Sequence, residues 1–261
     1  KTLLLNEQSG FPSGEILTIL EDGSRTWVGT NFGIAYLENG RITDVEITGG
    51  NDYRKCHKIY KDNNGRIWFG TLKGLSILKD GKVVPYKPNV FMDNTIYDIC
   101  EDEEGVFWYG TDDGLVSYNG TSITNYREED GVKKGRVRTV ISRNENIWIG
   151  SSSGLYQYDH KRFTRYSDKD GLSSNNIMGM IFDQQGNLWA GLSYGVDKIV
   201  VKNNKVISFQ TYGPEEGFLG IVCYLNSVEK SEDNLLYFGT DNGLMVYQSE
   251  YDLPKIIEAK T

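Results

Sequence analysis

The stretch Trp68-Phe69-Gly70-Thr71-Leu72-Lys73-Gly74-Leu75 decides the fold, because close copies of it occur six times along the chain. Each copy has an aromatic anchor two positions before a glycine, a second glycine four positions later, and then an aliphatic residue. The aromatic anchors are Trp27, Trp68, Trp108, Trp148, Trp189 and Tyr237. Their spacings of 41, 40, 40, 41 and 48 residues define a tandem repeat.

Each repeat reads as four short strands. An apolar segment such as residues 16–20 or 177–181 leads into an acidic, glycine-bearing turn, which the anchor strand follows. The second glycine opens a third strand, and a segment such as residues 124–126 forms a fourth. Repeats of this length made of four antiparallel strands are propeller blades, and the 3.6-residue period of a helical solenoid is absent. The sequence predicts an all-β fold, a six-bladed β-propeller with four-stranded antiparallel blades.

The two ends of the chain indicate how the ring closes. Residues 2–6 resemble the fourth strand of a blade, whereas the last repeat shows only three obvious strands. We expect the N-terminal strand to complete the last blade, so that residues 1–250 form one propeller domain and 251–261 a C-terminal tail. An incomplete seven-bladed propeller is the alternative, but it leaves unpaired sheet edges.

Composition excludes several classes of function. The 261 residues carry a net charge of −8 and no basic stripe, which argues against nucleic acid as the main partner. No apolar run approaches the ~20 residues that cross a bilayer. Cys56, Cys100 and Cys223 lie far apart and show neither metal-ligand spacing nor a disulfide framework. We therefore expect no cofactor and no metal.

Residues 59–75, 96–115 and 171–196 carry a pattern of paired aliphatics, an acidic turn, Trp-x-Gly-Thr-x-x-Gly and a Gly-Leu-x-Ser-Asn loop, with local departures. This pattern resembles the two-component regulator propeller repeat, and the resemblance covers nearly the whole chain. It implies a periplasmic sensor region of a Bacteroidetes hybrid histidine kinase, which commonly binds glycan fragments and is followed by a small β-sandwich. The tail at 251–261 looks like the start of that sandwich. Such sensors often carry two propellers, whereas this chain holds six repeats and no kinase.

The sequence shows no clustered acid–base or metal constellation. Of the two histidines, His57 lies in a predicted innermost strand and His160 in a turn after a third strand, so they share no loop set. The carboxylates recur at the same turn in several repeats, which indicates turn chemistry. We expect a non-enzymatic module. A protein-docking platform and a propeller lyase or glycosidase remain the alternatives.

In a propeller, ligands are expected on the face formed by the turns after the anchor strands and the loops before the innermost strands. Those segments carry aromatics, amides, carboxylates and arginines, which suit a sugar or another small polar ligand. Two of the arginines lie two positions apart, which predicts that both point to the same side. An oligosaccharide and a homodimer are the expected partners. The candidate ligand-binding residues are Phe32, Tyr53, Arg54, Lys73, Phe91, Asp93, Asp112, Asp113, Arg136, Arg138, Asn175, Asn176, Tyr194, Phe218 and Asp241.

Overall fold

The computed structural model describes residues 10–12, 15–86, 94–218 and 222–248, which form 23 strands in six antiparallel sheets. Blade 1 contains β1 (Ile16–Asp22), β2 (Arg25–Thr30), β3 (Ile34–Glu38) and β4 (Arg41–Asp44). Blade 2 contains β5 (Cys56–Lys61), β6 (Ile67–Thr71), β7 (Gly74–Lys79) and β8 (Lys82–Pro85). Blade 3 contains β9 (Ile96–Glu101), β10 (Phe107–Thr111), β11 (Gly114–Tyr118) and β12 (Ile123–Tyr126).

The second half repeats this arrangement. Blade 4 contains β13 (Val137–Arg143), β14 (Asn146–Ser151), β15 (Gly154–Tyr158) and β16 (Phe163–Tyr166). Blade 5 contains β17 (Ile177–Phe182), β18 (Leu188–Leu192), β19 (Val196–Lys202) and β20 (Lys205–Tyr212). Blade 6 contains β21 (Cys223–Lys230), β22 (Leu236–Thr240) and β23 (Gly243–Tyr247) among the described residues. The six blades confirm the predicted architecture.

The first strands of the blades form the inner wall of the ring. Strands β1, β5, β9, β13, β17 and β21 each contact the next, and β21 also reaches β1. Each sheet remains an open sheet, so the ring is built from six separate blades. The predicted closing strand at residues 2–6 and the tail at 251–261 lie outside the described residues.

The anchor tryptophans pack between adjacent blades. Trp68 of blade 2 shares an apolar cluster with Ile99 of blade 3, and Trp108 of blade 3 shares one with Val140 of blade 4. All five tryptophans are almost fully buried. Because a buried tryptophan removes about 150–250 Å² from water, these junctions supply a large part of the hydrophobic stabilisation.

The two repeated glycines have different roles, seen clearly in blade 3. A Cβ added to Gly110 would lie 2.8 Å from the carbonyl oxygen of Val137, so the first glycine lets the next blade approach closely. Gly114 has a φ of 119°, a backbone conformation that L side chains rarely adopt. Between them, the Thr111 hydroxyl donates a hydrogen bond to the Gly114 carbonyl oxygen at 2.9 Å.

The repeated turn carboxylates hold the turn before the anchor strand. Asp62 accepts hydrogen bonds from the backbone N–H groups of Asn64 and Arg66, and its second oxygen accepts one from the Trp68 indole. Asp102 does the same in blade 3, and Asp183 of blade 5 accepts hydrogen bonds from the Asn187 N–H and the Trp189 indole. These contacts support the interpretation of the acidic turns as structural.

The junction between blade 6 and blade 1 is packed less tightly than the others. Ile19 is 58% exposed, whereas Ile59, at the equivalent position of blade 2, is 2% exposed. On the facing side, Leu244 is 61% exposed, whereas its equivalent Leu75 is 2% exposed. The two faces that would form the sixth junction therefore present apolar side chains to solvent.

Candidate ligand-binding site

The two sets of segments predicted to form one face do lie together. The start of each innermost strand pairs with the end of the anchor strand, for example Cys56 with Thr71. The turn that follows the anchor strand is then hydrogen-bonded to the residue before the innermost strand. The Leu72 N–H donates to the Lys55 carbonyl oxygen at 3.1 Å, and similar bonds occur in blades 4, 5 and 6. We call this side of the ring the loop face.

A β-bulge near the start of every innermost strand shapes the loop face at the mouth of the channel. In blades 1–5, one extra residue lies between two residues that pair with consecutive positions of the anchor strand. Bulges commonly redirect a side chain next to functional sites. The five extra residues, which we call the bulge ring, are Leu17, His57, Tyr97, Arg138 and Met178.

Blades 2, 3 and 4 bring an aromatic and charged cluster together in this ring. The Tyr97 hydroxyl donates to Asp112 Oδ1 at 2.9 Å, and Arg136 Nε donates to the same oxygen at 2.9 Å. The Arg136 guanidinium also lies over the Tyr97 ring, 5.6 Å from its centroid. The His57 ring centroid is 5.1 Å from that of Tyr97. The cluster is therefore fixed by contacts between side chains of three blades.

Arg138 extends the cluster towards blade 5. Its Nη1 donates to Asn176 Oδ1 at 2.6 Å, and Asn176 Nδ2 in turn contacts Ser193 Oγ. The two arginines therefore pair with different neighbouring blades, Arg136 with blade 3 and Arg138 with blade 5. The expectation that both arginines point to one side stays a prediction, although Arg136 lies close enough to Arg138 to lower its pKa.

The electrostatics of the site favour neutral or negatively charged ligands. Burial above all, together with the positive charges of Lys55 and Arg136, lowers the pKa of His57 to about 4 against an opposing effect of Asp112. The imidazole is therefore neutral at physiological pH. Burial, followed by the neighbouring Arg136, also lowers the pKa of Arg138.

A second polar space lies within the channel, beyond the bulge ring. It has a volume of about 250 Å³, and no bulge-ring residue lines it. Lys58 Nζ lies 2.9 Å from Asp98 Oδ1, and the Val140 N–H donates to Asp98 Oδ2 at 2.9 Å. Asp98 thereby joins blades 2, 3 and 4, which favours a structural role for this pair.

Blade 6 reaches across the channel between these two spaces. The segments Cys223–Val228 of blade 6 and Cys56–Ile59 of blade 2 pair with equivalent positions of their anchor strands, but the blade 6 segment is two residues longer. The longer bulge contains Asn226 with a φ of 52°, and its Nδ2 donates to the Tyr97 carbonyl oxygen at 2.7 Å across the ring. Asn226 also lines the channel cavity, so it forms a partition between cavity and loop face.

The remaining predicted residues fall into three groups. Phe32 and Tyr194 are each 67% exposed on the loop face and available for stacking. Arg54 and Asp113 are also exposed on this face. Tyr53 is 6% exposed and Phe218 packs against Phe238, so both contribute to the interior. Phe91 and Asp93 lie outside the described residues. The roles of all these residues in ligand binding stay predictions.

Several predicted polar residues hold the loops themselves. Lys73 Nζ lies 3.7 Å from Asp52 Oδ2. Asn175 Oδ1 accepts a hydrogen bond from the Asp168 N–H at 2.9 Å, and Asp241 Oδ1 accepts one from the Val222 N–H at 3.1 Å. These contacts order the loop face without requiring a ligand.

Sequence reasoning missed Tyr97, Met178, Ser193, Tyr224 and Asn226. A usable signal was present, because Tyr97 and Met178 directly follow the repeated apolar residue that starts an innermost strand. Residues at this position differ between blades while their neighbours repeat. Tyr224 is an exposed aromatic within the longer bulge of blade 6. Among the described residues no group of three His, Cys, Asp or Glu side chains could hold a metal ion.

Comparison with known families confirms the resemblance of the repeats. The family profile described as "Two component regulator propeller" matches residues 50–73, 91–113 and 171–194. These segments run from the loop before the innermost strand to the turn after the anchor strand in blades 2, 3 and 5. The chain thus carries two component regulator propeller repeats.

Solved structures share the fold at low sequence identity. An extracellular domain described as part of a hybrid two component system from B. thetaiotaomicron is 20% identical, with a TM-score of 0.60, over 94% of this chain and 40% of that one. PorZ of the type-IX secretion system of Porphyromonas gingivalis is 13% identical, with a TM-score of 0.68, over 95% of this chain and 42% of that one. Virginiamycin B lyase from Staphylococcus aureus is 14% identical, with a TM-score of 0.67, over 89% and 84%.

These likenesses establish the propeller fold. The chain spans about two fifths of the length of the Bacteroides extracellular domains that it matches. No curated protein matches the chain in sequence. Within the described ranges, no helix has the length and apolar character needed to cross a membrane.

Proposed function

We propose that this chain is an extracytoplasmic ligand-sensing propeller of a two-component signal transduction system. It binds a glycan fragment or another small polar ligand at the bulge ring, in the periplasm, and signals to a histidine kinase. The observation that carries this proposal is the convergence of His57, Tyr97, Arg138 and Met178 from four blades at one channel mouth, in a chain with two component regulator propeller repeats.

The site is suited to binding because its floor and walls are already organised. Asn226 forms the partition beneath it, and the Arg138–Asn176 hydrogen bond links blade 4 to blade 5. Exposed Phe32 and Tyr194 on the same face can stack on the apolar faces of sugar rings. A ligand that contacts several blades at once would change how they pack, which gives a route for a signal to a kinase or across a homodimer.

A role without catalysis is part of the proposal. His57 is neutral and its ring packs on Tyr97, and the nearest carboxylate of the cluster, on Asp112, is already bound by Tyr97 and Arg136. The lyases that share the fold show that a propeller of this kind can carry catalysis in another protein. A docking platform would present a smooth apolar patch, whereas the mouth of this channel is polar.

The test is thermal unfolding of the chain against a panel of oligosaccharides from one to eight sugar units. A ligand at one hundred times its dissociation constant stabilises the folded state by about 2.7 kcal/mol, which raises the midpoint by a few degrees. We expect Arg138→Gln to reduce the shift and Arg162→Gln, on the opposite face, to leave it unchanged. Stabilisation that both variants retain would contradict a site at the bulge ring, and product formation from the bound sugar would establish an enzyme.

A further inference from the structure

The mouth of the channel has an excess of positive charge in an acidic protein. The whole chain has a net charge of −8, but Lys55, Arg136 and Arg138 supply three positive charges around His57 and Tyr97. Asp112 is the carboxylate that acts on this group, and it is already bound to Arg136. The cluster therefore keeps uncompensated positive charge at the site where the proposed ligand binds.

Arg138 is a cation of this cluster that forms no ion pair with the described residues. Its side chain is half-buried, and Asn176, a neutral amide, is its hydrogen-bond acceptor. Among the described residues, no carboxylate lies within 4.0 Å of its guanidinium. A guanidinium offers five N–H donors in a planar fork, and the Asn176 bond uses one of them. The lack of an anionic partner is costly for a partly buried guanidinium, because a charge removed from water is normally paired.

We infer that the ligand of this site is an acidic sugar, with an anionic group that binds the remaining N–H donors of Arg138. The anionic group is the carboxylate of a uronic acid or the sulfate ester of a sulfated sugar, since both suit the fork of a guanidinium. An anionic group is expected at Arg138 because Arg136 is already paired with Asp112. This inference rests on the proposed function and names the class of ligand for the same site.

The neutral partners around Arg138 suit the rest of such a ligand. Asn176 and Ser193 supply amide and hydroxyl groups on the blade 5 side. Tyr97 and the neutral His57 are only 8% and 7% exposed, so their rings support the cluster and offer little surface to a ligand. Hydroxyl groups of a sugar can bond to Asn176 and Ser193 while its apolar face rests on Tyr194, which follows Ser193 and is 67% exposed. The anionic group would thus be one contact of a mixed polar and aromatic site.

The test uses pairs of oligosaccharides that differ only in charge. Calorimetry compares uronic acid tetrasaccharides of several linkages with their carboxyl-reduced counterparts, and sulfated tetrasaccharides with their desulfated counterparts. We expect one acidic member to bind about 10- to 100-fold more tightly than its neutral counterpart, because a hydrogen-bonded ion pair is lost in the latter. The pair that shows this preference distinguishes a carboxylate from a sulfate ester.

Matched variants assign the preference to Arg138. Arg138→Gln should remove most of the difference within the pair, whereas Arg162→Gln, which alters an 81% exposed side chain on the opposite face, should preserve it. Equal affinity for the acidic and neutral members, or an equal effect of the two variants, would overturn the inference while leaving a neutral-sugar sensor intact. Failure of every acidic and neutral sugar to bind would overturn the proposed function as well.

Discussion

Trp68 Nε1 donates a hydrogen bond to Asp62 Oδ2 at 2.8 Å, and this buried contact joins the turn of blade 2 to its anchor strand. Equivalent bonds of 2.7 and 2.9 Å hold Trp108 and Trp189. Trp27 is equally buried, but its Nε1 has no acceptor among the described residues. The turn of blade 1 is one residue shorter. The residue six positions before Trp27 is Glu21, which pairs with Thr26 in the strand ladder and does not lie in the turn. The three blades with this bond are also the three that the family profile matches.

This contrast predicts different costs for the same substitution at two anchors. Trp68→Phe removes a buried hydrogen bond and leaves a lone pair of Asp62 without its donor, whereas Trp27→Phe removes an N–H that is already unsatisfied. We expect Trp68→Phe to lower the free energy of unfolding by about 1–2 kcal/mol more than Trp27→Phe. Urea unfolding of the two variants measures this difference. Equal losses would show that the indole hydrogen bond adds nothing to packing.

The loose junction between blades 6 and 1 gives a second paired prediction. Ile59→Ala deletes a fully buried side chain and should lower the free energy of unfolding by about 2–5 kcal/mol. Ile19→Ala, at the equivalent but exposed position, should cost less than about 1 kcal/mol. Denaturant unfolding of both variants provides the measurement. A large loss for Ile19→Ala would mean that this junction is packed in solution as firmly as the other five.

The buried His57 predicts a pH dependence of stability. Its pKa falls from 6.5 to about 4 on folding, so the unfolded state binds more protons between these values. The part of the unfolding free energy that depends on a neutral His57 is therefore fully present above about pH 6.5 and is lost as the pH falls towards 4. The loss reaches about 3 kcal/mol at the lower end.

His57→Gln isolates that contribution from the carboxylates that titrate in the same range. Lys55, Tyr97, Asp112 and Arg136 surround His57 and remain in the variant. As the pH is lowered from 7 to 4, His57→Gln should lose less unfolding free energy than the natural protein does. A difference independent of pH would show that His57 titrates normally.

Much of the fold was predictable from the sequence because it repeats. The paired glycines recur in all six blades, the anchor tryptophan in five and the aspartate–tryptophan bond in three, and the regular spacing of these features defines the six blades. The junction between blades 6 and 1 was not predictable, because Ile19 and Leu244 have the same apolar character as their buried equivalents Ile59 and Leu75. Their exposure depends on how the ring closes.

The candidate site was predictable only in part. Arg136, Arg138 and Asn176 were identified because they lie in the segments that form the loop face. Tyr97 was missed because it lies in a bulge, where two residues of one strand face a single residue of the next. Such a bulge depends on how the two strands pair and not on the local sequence. Tyr53 was predicted to stack on a ligand, yet an aromatic residue in a loop can equally cover the interior, as it does here.

The central claim, ligand binding at the bulge ring, is tested most directly by NMR of the two histidine rings. His57 packs on Tyr97 at the loop face, whereas His160 packs against Trp108 and Tyr158 in a turn on the opposite face. During titration with an oligosaccharide that stabilises the protein, the account predicts that the His57 ring signals shift and the His160 signals stay in place. Binding that shifts His160 alone, or that leaves both rings unchanged, would contradict it.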